Sequence, residues 1–378
     1  MGMQGIQSWD IFCTVVDNYG DIGIGFRLAR QLAAEHGLRV RLWVDDVASF
    51  QRICPEIDVA LDAQLVRGVE VRRWAKAFPD VEPADVVVEA FGCPLPESYV
   101  AVMAAKQRKP VWINLEYLSA EDWILGCHGL ASPHPRLPLV KYFFFPGFVP
   151  GTGGLLAERG LAEHRAAFRR EVFWQGLGLP AAEPGELRIS LFCYENGALP
   201  GLFEAWAGQA SPVRCMVPEG RVVPQVAAFF GAPEAHAGGV FRKGSLEVRI
   251  LPFVQQDEYD RLLWACDLNF VRGEDSFVRA QWAAAPFVWQ IYPQEEGAHW
   301  AKIDAFLDVY CADLPPAAAA QLRAFWHAWN AGEGAGQAWA GFWQYRADLE
   351  AHARRWAHAL EKNGDLAWNL VQFCRTKV

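Results

Sequence analysis

The sequence lacks most of the signals that mark a known chemistry. It has no run of eighteen apolar residues, and no basic stretch leads into an apolar one near its start, so we expect no membrane span and a cytoplasmic protein. The formal net charge is -9, so no overall basic surface invites nucleic acid or an anionic membrane. Local basic clusters (VEVRRWAKAF, AAKQRKP) read as solvated surface. The nine cysteines are odd in number, scattered, and include no Cys-x-x-Cys pair. Several sit in apolar runs such as IFCTVV and SLFCYE, which points to buried free thiols in a reducing compartment rather than disulfides or zinc. The nine histidines show no metal-ligand spacing. The hydrolase G-x-S-x-G, the P-loop and the dinucleotide G-x-G-x-x-G are all missing, as is any internal repeat.

What is present is a folded, apolar chain: 378 residues, 52% hydrophobic and 21% charged, enough for two domains. Strand-like and helix-like runs alternate in the first part. WDIFCTVV is followed by a turn and then by IGIGFRLARQLAAEHG, which carries apolar residues at helical spacing and stops at Gly37. LRVRLWVDD, ADVVVEAFG and KPVWINLEYL continue as strands with polar residues at their exits. Such alternation implies right-handed βαβ units, a parallel sheet, and ligands at the C-terminal ends of its strands. The Gly- and Pro-rich stretch PGFVPGTGGLLAERGL reads as an interdomain linker, after which the alternation restarts at LRISLFCYE. From Pro315 the chain turns helical, rich in Ala and Trp. The expected fold is α/β, with two Rossmann-like domains facing across a cleft as in nucleotide-sugar glycosyltransferases. Residues 1–178 form the N-terminal domain on the acceptor side, and 179–358 the sugar-nucleotide domain. Residues 359–378 form a helix that packs back on the first.

Two runs stand out. In VVDNYGDIGIGF (residues 15–26), Asp17 ends a strand, Asn18, Tyr19 and Gly20 turn, and Asp21 precedes a helix. Capping explains both aspartates, through an Asx-turn at Asp17 and an N-cap at Asp21. The other reading has two carboxylates facing a cleft, where they can hold and deprotonate a nucleophile. In RGEDSFVRAQWA, a strand ends at Arg272, Gly273 to Asp275 turn, and a helix starts near Ser276, whose free N–H groups suit a diphosphate. Here too Asp275 or Ser276 could be an ordinary N-cap. Glu274 fits a sugar or acceptor better than phosphate oxygens. Phe192, Tyr194 and Asn196 in SLFCYENGALPG, and Phe253, Gln255 and Gln256 in LPFVQQDEYD, fall at other strand exits, where aromatics stack on a base and amides pair with its edge.

Taken together, SWDIFCTVVDNYGDIGIGFRLARQL, SLFCYEN, LPFVQQDEYDRLLWACDLNFVRGEDSFVRAQWA and PFVWQIYPQEEGAHWAKIDAFL resemble the bacterial elongation factor P arginine rhamnosyltransferases. Phe26 departs from the pattern, which has a tryptophan there. The resemblance implies two Rossmann-like domains and a dTDP-β-L-rhamnose donor. It also implies transfer with inversion to one arginine of elongation factor P, which activates that factor to relieve ribosome stalling. No metal or other cofactor is implied. Position by position, Asp21 matches the general base, Asp17 the acceptor-binding carboxylate, and Glu274 the essential acid of the second domain. Tyr194, Gln256 and the turn Arg272, Gly273, Asp275 and Ser276 match donor contacts. Phe192 and Phe253 line the nucleotide site, and the Asn18–Tyr19–Gly20 turn lies close to the sugar. The alternative is a similar glycosyltransferase with a lipid or small glycan acceptor, or a sugar-nucleotide binding protein without turnover.

Overall fold

The computed structural model describes residues 5–15, 19–293 and 297–377. The chain divides into two compact units, Met1–Arg159 with Leu360–Val378, and Gly160–Ala359.

In the first unit the elements run β1 (Ser8–Cys13), α1 (Gly20–His36), β2 (Arg39–Val44), α2 (Val47–Ile53), β3 (Ala63–Val66), β4 (Val69–Arg73), β5 (Val86–Ala90), α3 (Glu97–Ala105), β6 (Val111–Leu115), α4 (Trp123–Cys127), β7 (Ala131–Pro133) and β8 (Val140–Phe144). The strands form one sheet in the order β3-β4-β2-β1-β5-β6-β8-β7, parallel except for the two short outer strands β3 and β7. The strands VVVEA and VWINL are buried on both faces, as β-branched, near-continuous apolar runs of a parallel sheet must be. One face packs Phe12, Trp43, Val87, Tyr99, Met103 and Trp112 together. Asp10, buried under that layer, is fully used. It accepts from Arg41 Nε (2.6 Å) and Nη2 (2.7 Å), Trp43 Nε1 (3.1 Å), Ala84 N–H (2.9 Å) and the Tyr99 hydroxyl. Helix α1 stops where expected, at Gly37 in the left-handed conformation (φ 64°), whose N–H bonds to Leu32 O.

The second unit holds α5 (Leu161–Ala167), α6 (Arg170–Gly176), β9 (Leu187–Leu191), α7 (Leu199–Ala207), β10 (Val213–Pro218), α8 (Val223–Phe229), β11 (Val240–Lys243), β12 (Leu246–Leu251), α9 (Gln256–Ala265), β13 (Leu268–Arg272), α10 (Asp275–Ala283), β14 (Phe287–Gln290), α11 (Ala298–Tyr310), α12 (Pro316–Ala331), α13 (Ala335–Trp343) and most of α14 (Arg346–Glu361). Its sheet runs β11-β12-β10-β9-β13-β14, with only β11 antiparallel. Helices α12 and α13 cover one side with Phe325, Trp326, Trp329, Trp339 and Phe342. The last helix, α15 (Leu366–Arg375), returns to the first unit and packs on α1. The first crossing between units falls after Arg159, inside the Gly- and Pro-rich stretch, so α5 and α6 belong with the second unit.

Counting only parallel strands, the orders are β4-β2-β1-β5-β6-β8 and β12-β10-β9-β13-β14. Both are the doubly wound Rossmann arrangement, 3-2-1-4-5 with or without a sixth strand. The order reverses between β1 and β5 in one unit and between β9 and β13 in the other. Ligand sites in such sheets lie at the strand exits beside that reversal. Those exits lead to Tyr19–Asp21 and Phe91, and to Phe192–Tyr194 and Arg272–Glu274.

Candidate active site

In the first unit, Tyr19 is the N-cap residue of α1 and makes no side-chain cap; Gly20 is the first helical residue and Asp21 the second. Asp21 is therefore not an N-cap, which corrects the capping expectation. Its side chain is 3% exposed and accepts a hydrogen bond from the Tyr117 hydroxyl (3.3 Å) at Oδ1. Burial pushes the Cys13 thiol at the end of β1 up, and the neighbouring Asp21 charge adds to this. The helix dipole favours a carboxylate in the first turn of a helix. Tyr117 follows β6 and stacks on Phe91 (4.6 Å between centroids, 23° between planes), which follows β5. Phe91 and Gly92 both take positive φ (60° and 68°), a strained conformation for an aromatic residue that aims its ring at this edge. Asp45, exposed beyond β2, accepts from Val15 N–H (2.9 Å), and Glu116 follows β6. The edge is thus acidic and aromatic, a fit for a flat cation. Asp17 and Asn18 lie outside the described residues. Of the three glycines, only Gly20 is at the turn. A Cβ on Gly25 would meet Cys13 and Leu42 at 3.7–3.8 Å, so that glycine faces the core and not a ligand.

In the second unit the expected donor residues gather at the exits of β9, β12 and β13. The Arg272 guanidinium carbon lies 4.5 Å from the ring centroids of both Phe192 and Tyr194. Arg272 is 6% exposed, and its Nε–H has no partner among the described residues. Gly273, at φ 60°, turns the chain, and its carbonyl accepts from Trp289 Nε1 (2.8 Å). Glu274 is the N-cap residue of α10, half exposed, and makes no side-chain cap, so the cap is neither Asp275 nor Ser276. Asp275 Oδ2 accepts from Gln256 Nε2 at 3.1 Å. The Ser276 hydroxyl is spent on the backbone of Arg272, accepting from its N–H (3.0 Å) and donating to its carbonyl. Ser276 therefore offers a ligand its backbone N–H, one of the first-turn groups without an intrahelical acceptor. Phe253 is half buried beyond β12. Arg279 and Asp260 fix α9 against α10 through a bidentate ion pair (2.8 and 2.6 Å), which holds the starts of both helices in place.

The fold adds residues that spacing did not reveal. Tyr292 sits edge-on to Tyr194 (5.5 Å, 75°) at the exit of β14, and Phe91 and Tyr117 join Asp21. The only sequence signal for Tyr117 and Tyr292 is an aromatic just past a strand; Phe91 also precedes a glycine. Among the described residues, no group of three or more His, Cys, Asp or Glu is placed to hold a metal ion, and no helix is long and apolar enough to cross a membrane. All nine cysteines are free, as expected; eight are buried and Cys127 is half exposed.

Residues 9–375 match the family described as Elongation-Factor P (EF-P) rhamnosyltransferase EarP. The protein-arginine rhamnosyltransferase of Pseudomonas aeruginosa is 53% identical over 97% of this chain and 99% of its own length. That of Pseudomonas putida is 52% identical over 98% and 99%. A solved structure reported as the structural basis for EarP-mediated arginine glycosylation of translation elongation factor EF-P shares 37% identity, covers 98% of this chain and 99% of that one, and superposes with a TM-score of 0.69. Two Rossmann sheets, strand exits furnished on both, and a match running nearly end to end have one reading: the chain belongs to the EarP family of elongation factor P rhamnosyltransferases and is a glycosyltransferase.

Proposed function

We propose that the chain transfers L-rhamnose from dTDP-β-L-rhamnose to a single arginine of elongation factor P, with inversion, in the cytoplasm where that factor works. The observation that carries this reading is the family match over residues 9–375, which spans every residue assigned a role above. The chemistry of each strand edge supports it. Arginine is a poor nucleophile, because its lone pairs are delocalised and its pKa exceeds about 12. Carboxylates at the edge of the first sheet grip the guanidinium in its fork geometry and draw positive charge away from the attacking nitrogen. That nitrogen forms a bond to the anomeric carbon as the bond to the dTDP oxygen breaks. Asp21 takes the proton released by the nitrogen, and Asp17 holds the guanidinium. The tyrosine hydroxyl on Asp21 keeps the carboxylate oriented for that transfer. Departing dTDP carries its charge to Arg272 and to the N–H groups at the start of α10, so the displacement needs no metal. Phe192, Tyr194 and Phe253 cover the base and sugar, and Glu274 contacts the sugar. Attack from the face opposite the diphosphate in one displacement inverts the anomeric centre.

The test is the mass of elongation factor P incubated with the chain and dTDP-rhamnose. One added deoxyhexose, mapped to one arginine, is expected. Asp21→Asn should cut transfer by about 100-fold or more while leaving dTDP binding unchanged. Full transfer by Asp21→Asn would sink the assignment of the base.

A further inference from the structure

Strand β14 is the outer strand of its sheet, with β13 on one side and, among the described residues, no strand on the other. Its outward-facing peptide groups need partners from elsewhere. One side chain supplies two of them. Asn330, in the last turn of α12, donates from Nδ2 to Trp289 O (2.9 Å) and accepts at Oδ1 from Ile291 N–H (3.1 Å). Its other Nδ2 proton goes back to Trp326 O in its own helix (2.9 Å), which fixes the orientation of the amide. The carboxamide thus does for Gln290 what the peptide group of a neighbouring parallel strand would do, bonding the residue before and the residue after. Gln290 then passes the constraint on, because its Oε1 accepts from Tyr194 N–H (2.9 Å). Tyr194 carries the ring that lies against Arg272 and Tyr292.

The same end of α12 grips the exit of β9 a second time. Trp329 O, one of the helix's last carbonyls, accepts from Asn196 Nδ2 (2.9 Å). Asn196 also accepts from Ala198 N–H (2.8 Å) and donates its own N–H to Gln225 Oε1 (2.9 Å). Just beyond, the backbones nearly touch: a Cβ on Gly197 would lie 2.7 Å from Gly332 O. The helix end and the loop can approach this closely only without a side chain there.

We infer that Asn330, some forty residues beyond β14, is a positioning residue of the donor site. It acts through Gln290 and Tyr194, and sets the aromatic wall against which the nucleotide sugar packs. The inference rests on the reading of the β9, β13 and β14 exits as the donor site.

Three variants test it in the full chain. Asn330→Ala removes both bonds to β14. Asn330→Asp keeps the size and the acceptor for Ile291 N–H, but sets a carboxylate oxygen against Trp289 O. Gln290→Met leaves the bonds of Asn330 in place and removes those of Gln290 to Tyr194 N–H and to Glu195 O. Each is expected to weaken dTDP binding about tenfold in calorimetry, and to raise KM for dTDP-rhamnose to match while KM for the acceptor stays put. Amide exchange should quicken at Tyr194 in both Asn330 variants, and at Ile291 in Asn330→Ala, while β9 and β13 keep their protection. Wild-type dTDP affinity in all three variants overturns the inference. So does a parallel rise of both KM values with faster exchange throughout the second unit, which is what a plain loss of stability produces. If the wild-type chain does not bind dTDP, the donor reading falls, and the exchange rates at Tyr194 and Ile291 still decide whether Asn330 holds this loop.

Discussion

Arg279→Met tests whether the donor residues are held by their helices or only by their own contacts. Arg279 and Asp260 are 2% and 7% exposed, and meet through two short bonds, Nε to Oδ1 (2.8 Å) and Nη2 to Oδ2 (2.6 Å). Removing the arginine strands a carboxylate away from water, which costs about 3–5 kcal/mol when a buried pair is broken from one side. The second unit spans 200 residues, Gly160–Ala359. At about 2–4 °C per kcal/mol for a unit of that size, its melting temperature should fall by about 6–20 °C. The double variant Asp260→Leu/Arg279→Met removes both charges and should recover most of that loss, because the pair's attraction and its desolvation cost nearly cancel. Differential scanning calorimetry measures both variants, and dTDP titration below the transition reads the site. Gln256 opens α9 and Asp275 opens α10, so both variants should bind dTDP more weakly even where folded. A single variant within about 1 kcal/mol of wild type, or a double as costly as the single, would refute the reasoning.

Two further outcomes concern a helix cap and the thiols. Asp46 caps α2, accepting from Ser49 N–H (3.0 Å) and from the Ser49 hydroxyl, which holds its carboxyl below the usual carboxylate range. A carboxyl with a lowered folded pKa stabilises above its unfolded value and loses that contribution as pH falls. Asp46→Ala should therefore cost about 1 kcal/mol in urea unfolding at neutral pH, with the difference fading below about pH 4; a cost that persists in acid would exclude the ionised cap. The thiols give the second. Alkylation of the native chain should label Cys127 first and alone, with the other eight reacting only on unfolding, and peptide mapping that finds a second fast thiol would contradict the burial pattern.

Most of the architecture could be read from local pattern, and the misses share a cause. Helix α1 was legible to its last residue because Gly37 is a helix stop that needs no tertiary help. The short outer strands β3, β7 and β11 were not, since three or four residues with exposed side chains carry no periodicity of their own. Position relative to a strand was enough to place Arg272, Tyr194 and Gln256 at strand exits of the second sheet. Capping preference pointed Asp21 to the N-cap, yet α1 begins two residues sooner than that implies, at Gly20, and the carboxylate ends up on Tyr117. No sequence rule joins residue 21 to residue 117, or Asn330 to Ile291, because those pairings exist only once the sheet order is set.

The return of α15 to the first unit also bears on how the chain is made. Leu366, Leu370, Val371 and Cys374 are buried there, Leu366 N–H bonds to Leu155 O (3.0 Å), and Gln31 of α1 reaches Asp365 (2.9 Å). A ribosome delivers β1 to β8 first, but these strands wait for their last wall until α15 has been made. The second unit is one uninterrupted stretch, Gly160–Ala359, so it can close its core while the first is still open. The unit whose strands are made first is completed only after the other, and cutting the chain before Leu366 would damage the sheet that starts at Ser8.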